Sequence, residues 1–144
     1  MISVREFKDT DYDSVTALWR AAAGVTLRDA DERTPLTAYL ARQPGLSFVA
    51  EEDGAIVGAV LCGTDGRRGY LQHLAVASTH RRRGIGRRLA ESCTHALAAR
   101  GIMKCHLMVV SDNDAARAFW MRLGWTPRDD VQLMSHTAGD SANA

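Results

Sequence analysis

The sequence has few cysteines and no long hydrophobic run. Its three cysteines, Cys62, Cys93 and Cys105, lie in apolar segments of the 144-residue chain. They lack the paired spacing of a zinc site or a disulfide framework, so we expect free thiols. No segment has the roughly 20 consecutive apolar residues that span a bilayer, and the N-terminus has no apolar core of a signal peptide. These absences predict a cytoplasmic protein without a membrane-spanning segment.

The sequence also lacks an excess of charge of either sign. The formal net charge is +1, which argues against a protein that binds polyanions over its whole surface. Hydrophobic residues make up 46% of the chain and charged residues 24%, the balance of an ordinary globular domain. We predict one domain over residues 1–136, followed by a small, polar and patternless tail, residues 137–144, that is disordered.

The central part of the sequence contains a strand, a basic glycine turn and a helix in direct succession. Apolar and β-branched residues predict a strand over residues 70–76. The turn that follows, from Arg81 to Arg88, is rich in arginine and glycine. After it, apolar residues recur at three- and four-residue steps, the spacing of one helix face: Ile85, Leu89, Cys93, Ala96 and Leu97.

This turn has the properties of an anion-binding site. Gly84 and Gly86 have no Cβ, so the backbone can adopt unusual dihedral angles and lie close to a ligand. The first amides of the helix have no partner within it, and the helix dipole adds partial positive charge, so a phosphate or pyrophosphate is favoured. The short pattern alone is weak evidence, and a glycine turn with a solvated basic rim is the alternative. The fingerprints G-x-G-x-x-G and G-x-x-x-x-G-K-S/T are both absent.

Elsewhere the pattern predicts further strands and helices around this unit. Asp53-Gly54, between two apolar runs, is a strong hairpin signal. Capping residues and helical spacing predict helices over residues 12–23, 34–43, 85–100 and 114–123. The other predicted strands are residues 2–7, 47–52, 55–62 and 102–110, with a last hairpin formed by 125–129 and 131–135.

Two motifs occur in an order and spacing shared with a known family. Arg81-Arg82-Arg83-Gly84-Ile85-Gly86 matches Q/R-x-x-G-x-G/A, and downstream Asn113 opens a helix that leads to Phe119-Trp120-Met121-Arg122-Leu123-Gly124-Trp125. On these motifs the chain resembles the GNAT superfamily of acetyl-CoA-dependent N-acetyltransferases, over residues 2–136. The resemblance implies an α/β (α+β) fold: a single mixed, mostly antiparallel sheet of six to seven strands, flanked by about four helices.

The resemblance also implies an activity and a binding site. Enzymes of the family transfer an acetyl group from acetyl-CoA directly to a primary amine of a small molecule, peptide or protein, without a metal. By motif position, amides of the basic turn would bind the pyrophosphate, strand 70–76 would pair with the pantetheine arm, and the Leu74 amide would stabilise the developing oxyanion. The implied cofactor-binding residues are Leu74, Ala75, Val76, Arg81, Arg82, Arg83, Gly84, Ile85, Gly86, Arg87, Asn113, Ala116, Phe119 and Trp120.

At the positions that transfer protons, the chain departs from the family pattern. An attacking amine must first lose a proton, so a base is expected. The family often has Glu or His at the positions of Tyr70 and Gln72, which are therefore candidate catalytic residues beside the Leu74 amide. Alternation along the strand predicts Tyr70, Gln72 and Leu74 on one face and His73 on the other. His73 and His106 are alternatives, either as bases acting through water or as structural histidines.

Trp120 stands where the family commonly has the tyrosine that protonates the leaving thiolate. An indole N–H donates a hydrogen bond but not a proton, and packing beside the pantetheine is the simpler interpretation. The absence of an obvious acid and base keeps open a second function, a non-catalytic acyl-CoA-binding sensor module. A third, nucleic-acid binding through the basic run, is disfavoured by the low net charge and by the lack of interleaved aromatic residues.

The resemblance places the acceptor pocket between the first two helices and their loop. The candidates there are Trp19, Thr26, Leu27, Arg28 and Tyr39. Arg28 and Arg33 could attract a carboxylate or phosphate on the acceptor, although exposed loop arginines mostly serve solubility. The sequence does not identify the acceptor amine, and both a monomer and a homodimer are compatible with it.

Overall fold

The computed structural model describes residues 1–144 and contains one open sheet with helices on both faces. The strands are β1 (Ile2–Glu6), β2 (Phe48–Glu52), β3 (Ala55–Thr64), β4 (Gly69–Val76) and β5 (Cys105–Leu107). The helices are α1 (Tyr12–Ala21), α2 (Arg33–Arg42), α3 (Ile85–Ala99) and α4 (Asp114–Arg122). The strand order is β1-β2-β3-β4-β5; the first three pairs are antiparallel and β4–β5 is parallel. The predicted mixed, mostly antiparallel sheet and the four helices are confirmed.

The β2–β3 hairpin forms where the sequence predicts it. Asp53 and Gly54 both have positive φ, 52° and 81°, as the two central residues of a type I′ turn require. The hairpin brings β3 into the middle of the sheet, where seven consecutive residues, 57–63, are buried. Such a run is typical of a strand covered by helices on both faces.

Separate hydrophobic cores lie on the two faces of the sheet. Ala59 and Leu61 of β3 belong to the core under α1 and α2, whereas Val60 and Cys62 belong to the core under α3 and α4. Trp19 of α1 is completely buried in the first core. The second core contains the buried residues of α3, at the predicted helical spacing. None of the helices combines the length and the apolar character needed to cross a membrane.

A β-bulge in β4 decides which way its side chains face. One residue of β3, Val60, lies opposite two residues of β4, His73 and Leu74. His73 has a φ of +55°, in the left-handed region that few non-glycine residues adopt. As a result His73 shares the α1/α2 face with Gln72, and Leu74 packs on the α3 face. The prediction from strict alternation is therefore wrong for His73 and Leu74, because one extra residue reverses the alternation.

The sheet has five strands, so the expected six to seven is wrong. Residues 125–135 form no strand, and Leu133 in this segment is 72% exposed. Pro127 has no N–H to donate to a neighbouring strand. The Arg128 guanidinium forms two hydrogen bonds of 3.0 Å with Asp130, a partner inside the same segment. Local contacts thus take the place of the predicted last hairpin.

Candidate active site

A cleft opens where β4 and β5 diverge. The two parallel strands pair only from Gly69 to Leu71 in β4 and from Cys105 to Leu107 in β5, a shorter β5 than the predicted 102–110. Beyond Leu71, β4 pairs with β3 on one side and has a free edge on the other. The cleft has a volume of about 440 Å³, and its walls come from residues 71–74, 107–110, 23–26 and Arg28 and from α4 with its cap.

The N-terminus of α3 presents a row of unpaired main-chain donors. None of the seven amides from Arg81 to Arg87 donates a hydrogen bond within the protein, and the first that does is Arg88, to the Gly84 carbonyl at 3.0 Å. Arg82 and Gly84 have positive φ, 64° and 75°. Left-handed residues at alternate positions direct successive amides into one concavity, a known way to bind anions. We call these seven residues the amide cradle.

Two glycines shape the amide cradle in different ways. A Cβ on Gly84 would meet no protein atom within 4 Å, so glycine is needed there for its φ of 75°. A Cβ on Gly86 would lie 3.0 Å from Cζ of Phe119 and 3.7 Å from Cδ2 of Leu74. Phe119 and Leu74 also line the cleft. The cradle and the cleft are therefore parts of one continuous site.

Some of the charged side chains around the cradle form ion pairs within the protein, and others do not. Glu52 pairs with His80 at 2.9 Å and with Arg83 at 3.5 Å. Arg81 and Arg82 are exposed and make no hydrogen bond or ion pair. Two guanidinium groups and the positive end of the helix dipole thus favour an anionic ligand at this place.

A histidine–aspartate pair lies beside the cleft. His73, in the β4 bulge, places Nε2 3.0 Å from Oδ1 of Asp31, which belongs to the loop between α1 and α2. Asp31 is 7% exposed, and its Oδ2 accepts the Arg28 N–H at 2.9 Å. Burial alone would raise the pKa of Asp31, but the hydrogen bonds from His73 and from the Arg28 backbone outweigh it, so the pKa lies below its usual value. Asp31 is therefore an anion that orients His73.

The imidazole of His73 is fixed on one side and open on the other. Trp19 donates its indole N–H to the His73 carbonyl at 2.7 Å, and the two rings meet edge-on with centroids 5.0 Å apart. His73 Nδ1 has no hydrogen-bond partner in the protein. Because no buried side-chain nitrogen or oxygen lacks a partner, Nδ1 is accessible to solvent, and His73 is one of the residues that line the cleft. The ring can thus accept a proton at Nδ1 while Asp31 holds Nε2.

Trp120 packs edge-on against Phe119 and Trp125, with centroid distances of 5.0 and 5.1 Å. Its side chain is 9% exposed and also lines the cleft. The indole N–H has no acceptor within the protein. Since no buried side-chain nitrogen lacks a partner, this N–H is accessible to solvent or to a ligand. Trp120 can therefore pack against a ligand and donate one hydrogen bond to it.

Most of the sequence-predicted site residues come together, and Tyr70 does not. The cleft is lined by six of them: Gln72, Leu74, Asn113, Ala116, Phe119 and Trp120. Asn113 also caps α4 by accepting the Ala116 N–H at 3.1 Å. Tyr70 lies outside the cleft, where its hydroxyl donates to Asp65 Oδ2 at 3.2 Å. Ala75 is buried under α1 and α2, so a ligand on the free edge of β4 would meet only its main chain.

Asp31 is the site residue that the sequence patterns did not indicate. The spacing Arg28-x-x-Asp31 repeats Lys8-x-x-Asp11, and in both segments the aspartate accepts the backbone N–H three residues earlier. That repeat is a local signal for an ordered carboxylate. The contact with His73 depends on the bulge in β4, for which the strand sequence contains no signal.

A larger groove of about 750 Å³ lies elsewhere, between the C-terminal half of α3, residues 102–106 and residues 123–128. We call it the α3 groove. His106 lines it, with its ring 6.0 Å from that of Tyr70. It shares no lining residue with the cleft and does not include the amide cradle. No group of three or more His, Cys, Asp or Glu side chains is placed to bind a metal ion.

Comparison with known proteins agrees with this geometry. The model of the acetyltransferase (GNAT) family matches residues 12–125. An acetyltransferase of Pectobacterium atrosepticum is 36% identical over 132 residues, which cover 92% of this chain and 93% of that protein. A GCN5-related N-acetyltransferase from Ralstonia eutropha has a TM-score of 0.70 at 25% identity, covering 94% of this chain and 99% of the other.

A further solved structure was determined with a ligand. The PaiA N-acetyltransferase of Thermoplasma acidophilum, in complex with coenzyme A, has a TM-score of 0.81 at 18% identity, covering 91% of this chain and 93% of the other. At that identity the likeness concerns the fold. The family match over most of the sequence and the curated relative together show that this chain belongs to the acetyltransferase (GNAT) family and is an acyltransferase enzyme.

Proposed function

We propose that the protein transfers an acetyl group from acetyl-CoA directly to a primary amine. The observation that carries this proposal is the row of seven unpaired amides at the start of α3, continuous with the cleft between β4 and β5. A diphosphate with an extended arm is the kind of ligand that such a row and such a free strand edge can bind. That a neighbour of the same fold was solved with coenzyme A supports the choice of ligand.

Each part of acetyl-CoA has a set of residues that would hold it. The diphosphate would accept hydrogen bonds from amides of the cradle, assisted by Arg81 and Arg82. The pantetheine arm would pair with the free edge of β4 as far as Val76. The amide of Leu74, in the bulge, would donate to the thioester carbonyl and stabilise the oxyanion. Because both substrates are bound side by side, orientation supplies much of the rate, and no cysteine nucleophile is required.

His73 is the proton acceptor in this proposal. The amine loses a proton to His73 Nδ1 as its nitrogen attacks the carbonyl carbon, and Asp31 stabilises the imidazolium that forms. The new C–N bond replaces the C–S bond, and coenzyme A leaves as a thiolate. An ordinary thiol has a pKa of about 8.5, so the thiolate leaves readily and a hydrogen bond from Trp120 is sufficient. Gln72 lies on the same face and would help to position the acceptor.

Two measurements test the proposal. Acetyl-CoA should raise the Tm of the protein, and free thiol should appear when a panel of primary amines is added. A Tm increase without thiol release would favour the acyl-CoA-binding sensor, and the absence of both would contradict the proposal.

Gly86→Val tests the cradle itself. The new side chain would enter the junction between the cradle and the cleft, beside Phe119 and Leu74, so calorimetry should detect no acetyl-CoA binding. Since Phe119 must shift slightly to admit a Cβ, circular dichroism should verify that the variant is folded. Unchanged affinity in a folded variant would show that the ligand binds elsewhere.

A further inference from the structure

Arg28 is the one permanently charged residue among those that line the cleft. It comes from the segment between α1 and α2; its backbone N–H donates to Asp31, and its guanidinium makes no hydrogen bond or ion pair within the protein. Arg33, five residues later, is different: it pairs with Asp13 at 2.8 Å and lies over the Tyr12 ring at 4.6 Å. Arg28 is thus the cation of this segment that is available to a ligand.

The cleft offers no free carboxylate. No Asp or Glu lines it. Asp31, which holds His73, is 7% exposed and has both oxygens occupied, one by His73 Nε2 and one by the Arg28 N–H. An acceptor with several positive charges loses hydration on entering and needs unpaired anions to replace it. This cleft therefore suits a polycationic acceptor poorly.

The charged groups that remain are arranged for a molecule with two unlike ends. His73, whose Nε2 is held by the Asp31 anion, lines the cleft at one point, and Arg28 lines it at another. The Arg28 backbone N–H donates to Asp31 Oδ2 at 2.9 Å, which fixes the backbone of Arg28 relative to the Asp31 carboxylate that binds His73. Apolar residues 107–110 form another part of the wall. The volume of about 440 Å³ is near the lower end for small-molecule sites.

We propose that the acceptor is a small amine that also carries an anionic group, a carboxylate or a phosphate, and that Arg28 binds this group while the amine lies at His73. This inference rests on the proposed function, whose acceptor it specifies. Arginine suits the role because its planar guanidinium donates two parallel hydrogen bonds to a carboxylate or phosphate.

Matched acceptors test the proposal at saturating acetyl-CoA. L-Methionine is compared with L-methioninamide, and 2-aminoethyl phosphate with ethanolamine; spermidine and a short peptide represent other amine classes. We expect kcat/KM to be about tenfold higher for the anionic member of a pair, as for a charge-assisted hydrogen bond. The amino group of L-methioninamide is less basic than that of L-methionine, so a larger fraction of it is unprotonated and able to attack. A preference for L-methionine would therefore reflect binding of its carboxylate and not the basicity of its amine. Which pair shows the larger ratio distinguishes carboxylate from phosphate.

A matched pair of variants assigns the preference to one residue. Arg28→Gln should bring the anionic-to-neutral ratio close to one, chiefly through a higher KM for the anionic acceptor. Arg33→Gln, in the same loop but turned to Asp13, should keep the full ratio. A ratio that survives Arg28→Gln would show that Arg28 does not bind the anion.

The remaining outcomes separate this proposal from the proposed function. Thiol release with equal rates for both members of each pair, or with spermidine or the peptide as the best acceptor, would overturn the anionic acceptor and leave acetyl transfer standing. If no acceptor releases thiol, calorimetry with L-methionine and 2-aminoethyl phosphate on the coenzyme A complex decides. Binding that Arg28→Gln abolishes would support the anion site, and no binding to the wild-type complex would overturn it.

Discussion

Replacing His73 by asparagine separates the chemistry of this residue from its backbone conformation. His73 has a φ of +55°, and asparagine is, after glycine, among the residues that adopt this region most readily. Its amide cannot accept a proton, so the variant would lack the proposed base. General bases contribute about 10²–10⁴-fold to rate, so we expect kcat/KM to fall at least about 100-fold.

The variant should nevertheless fold. The Trp19 indole binds the main-chain carbonyl of residue 73, which the substitution retains. Asp31 would lose its 3.0 Å contact with His73 but keep the Arg28 N–H. A lost hydrogen bond to a buried carboxylate costs about 1–3 kcal/mol, which lowers the Tm of a domain of this size by several degrees.

Steady-state thiol release at a fixed neutral pH checks this prediction. His106→Asn is the control, because His106 lines the α3 groove and not the cleft. If His73→Asn kept its rate within about threefold, or if His106→Asn lost as much, the assignment of the base to His73 would be refuted.

Three further predictions concern the cradle, the leaving group and the carboxylate. Gly84→Ala and Gly54→Ala each place a Cβ in open space at positive φ, so each should lower the free energy of unfolding by about 1 kcal/mol. Only Gly84→Ala should also weaken acetyl-CoA binding in calorimetry. Equal affinities of the two variants would show that the backbone conformation at Gly84 does not matter to the ligand. Trp120→Phe should lower the Tm because the smaller ring leaves part of the core volume unfilled. It should change kcat by less than about tenfold, because coenzyme A can leave as a thiolate without an acid. A larger fall in kcat would show that the indole takes part directly in the reaction. Folding lowers the pKa of Asp31, so its contribution to stability is present above the unfolded value of about 3.9 and is lost as pH falls through the lower, folded value. The stability advantage of wild type over Asp31→Asn in chemical unfolding should therefore shrink in acid, and an advantage independent of pH would contradict the lowered pKa of Asp31.

The parts of the fold that depend on local patterns follow from the sequence. Asp53-Gly54 predicts the hairpin because only a few residue pairs adopt its turn, and the spacing of Ile85, Leu89 and Cys93 predicts the buried face of α3. The last hairpin was predicted from Val131 and neighbouring apolar residues by the same kind of reasoning, and there it failed. A strand forms only where a neighbouring strand has a free edge to pair with, and the hydrophobic pattern of a segment does not show whether such an edge is available.

The candidate site divides in the same way. Gly84 and Gly86 mark the cradle because the requirement for missing side chains is visible in the sequence itself. The pairing of His73 with Asp31 is not visible, because it joins residues 42 positions apart and depends on a bulge that turns His73 to the other face. A family pattern that places the base at Gln72 or Tyr70 also gives no reason to consider the next residue, His73, which lies in the bulge.

Backbone amide chemical shifts measured by NMR during titration with ligand test the central claim most directly. If the unpaired amides at the start of α3 bind the diphosphate, the resonances of Arg82, Gly84, Gly86 and Arg87 should move most on addition of coenzyme A. They should not move with S-acetyl-pantetheine, which lacks the diphosphate. Largest shifts around the α3 groove, or equal shifts in the cradle with both compounds, would contradict the account.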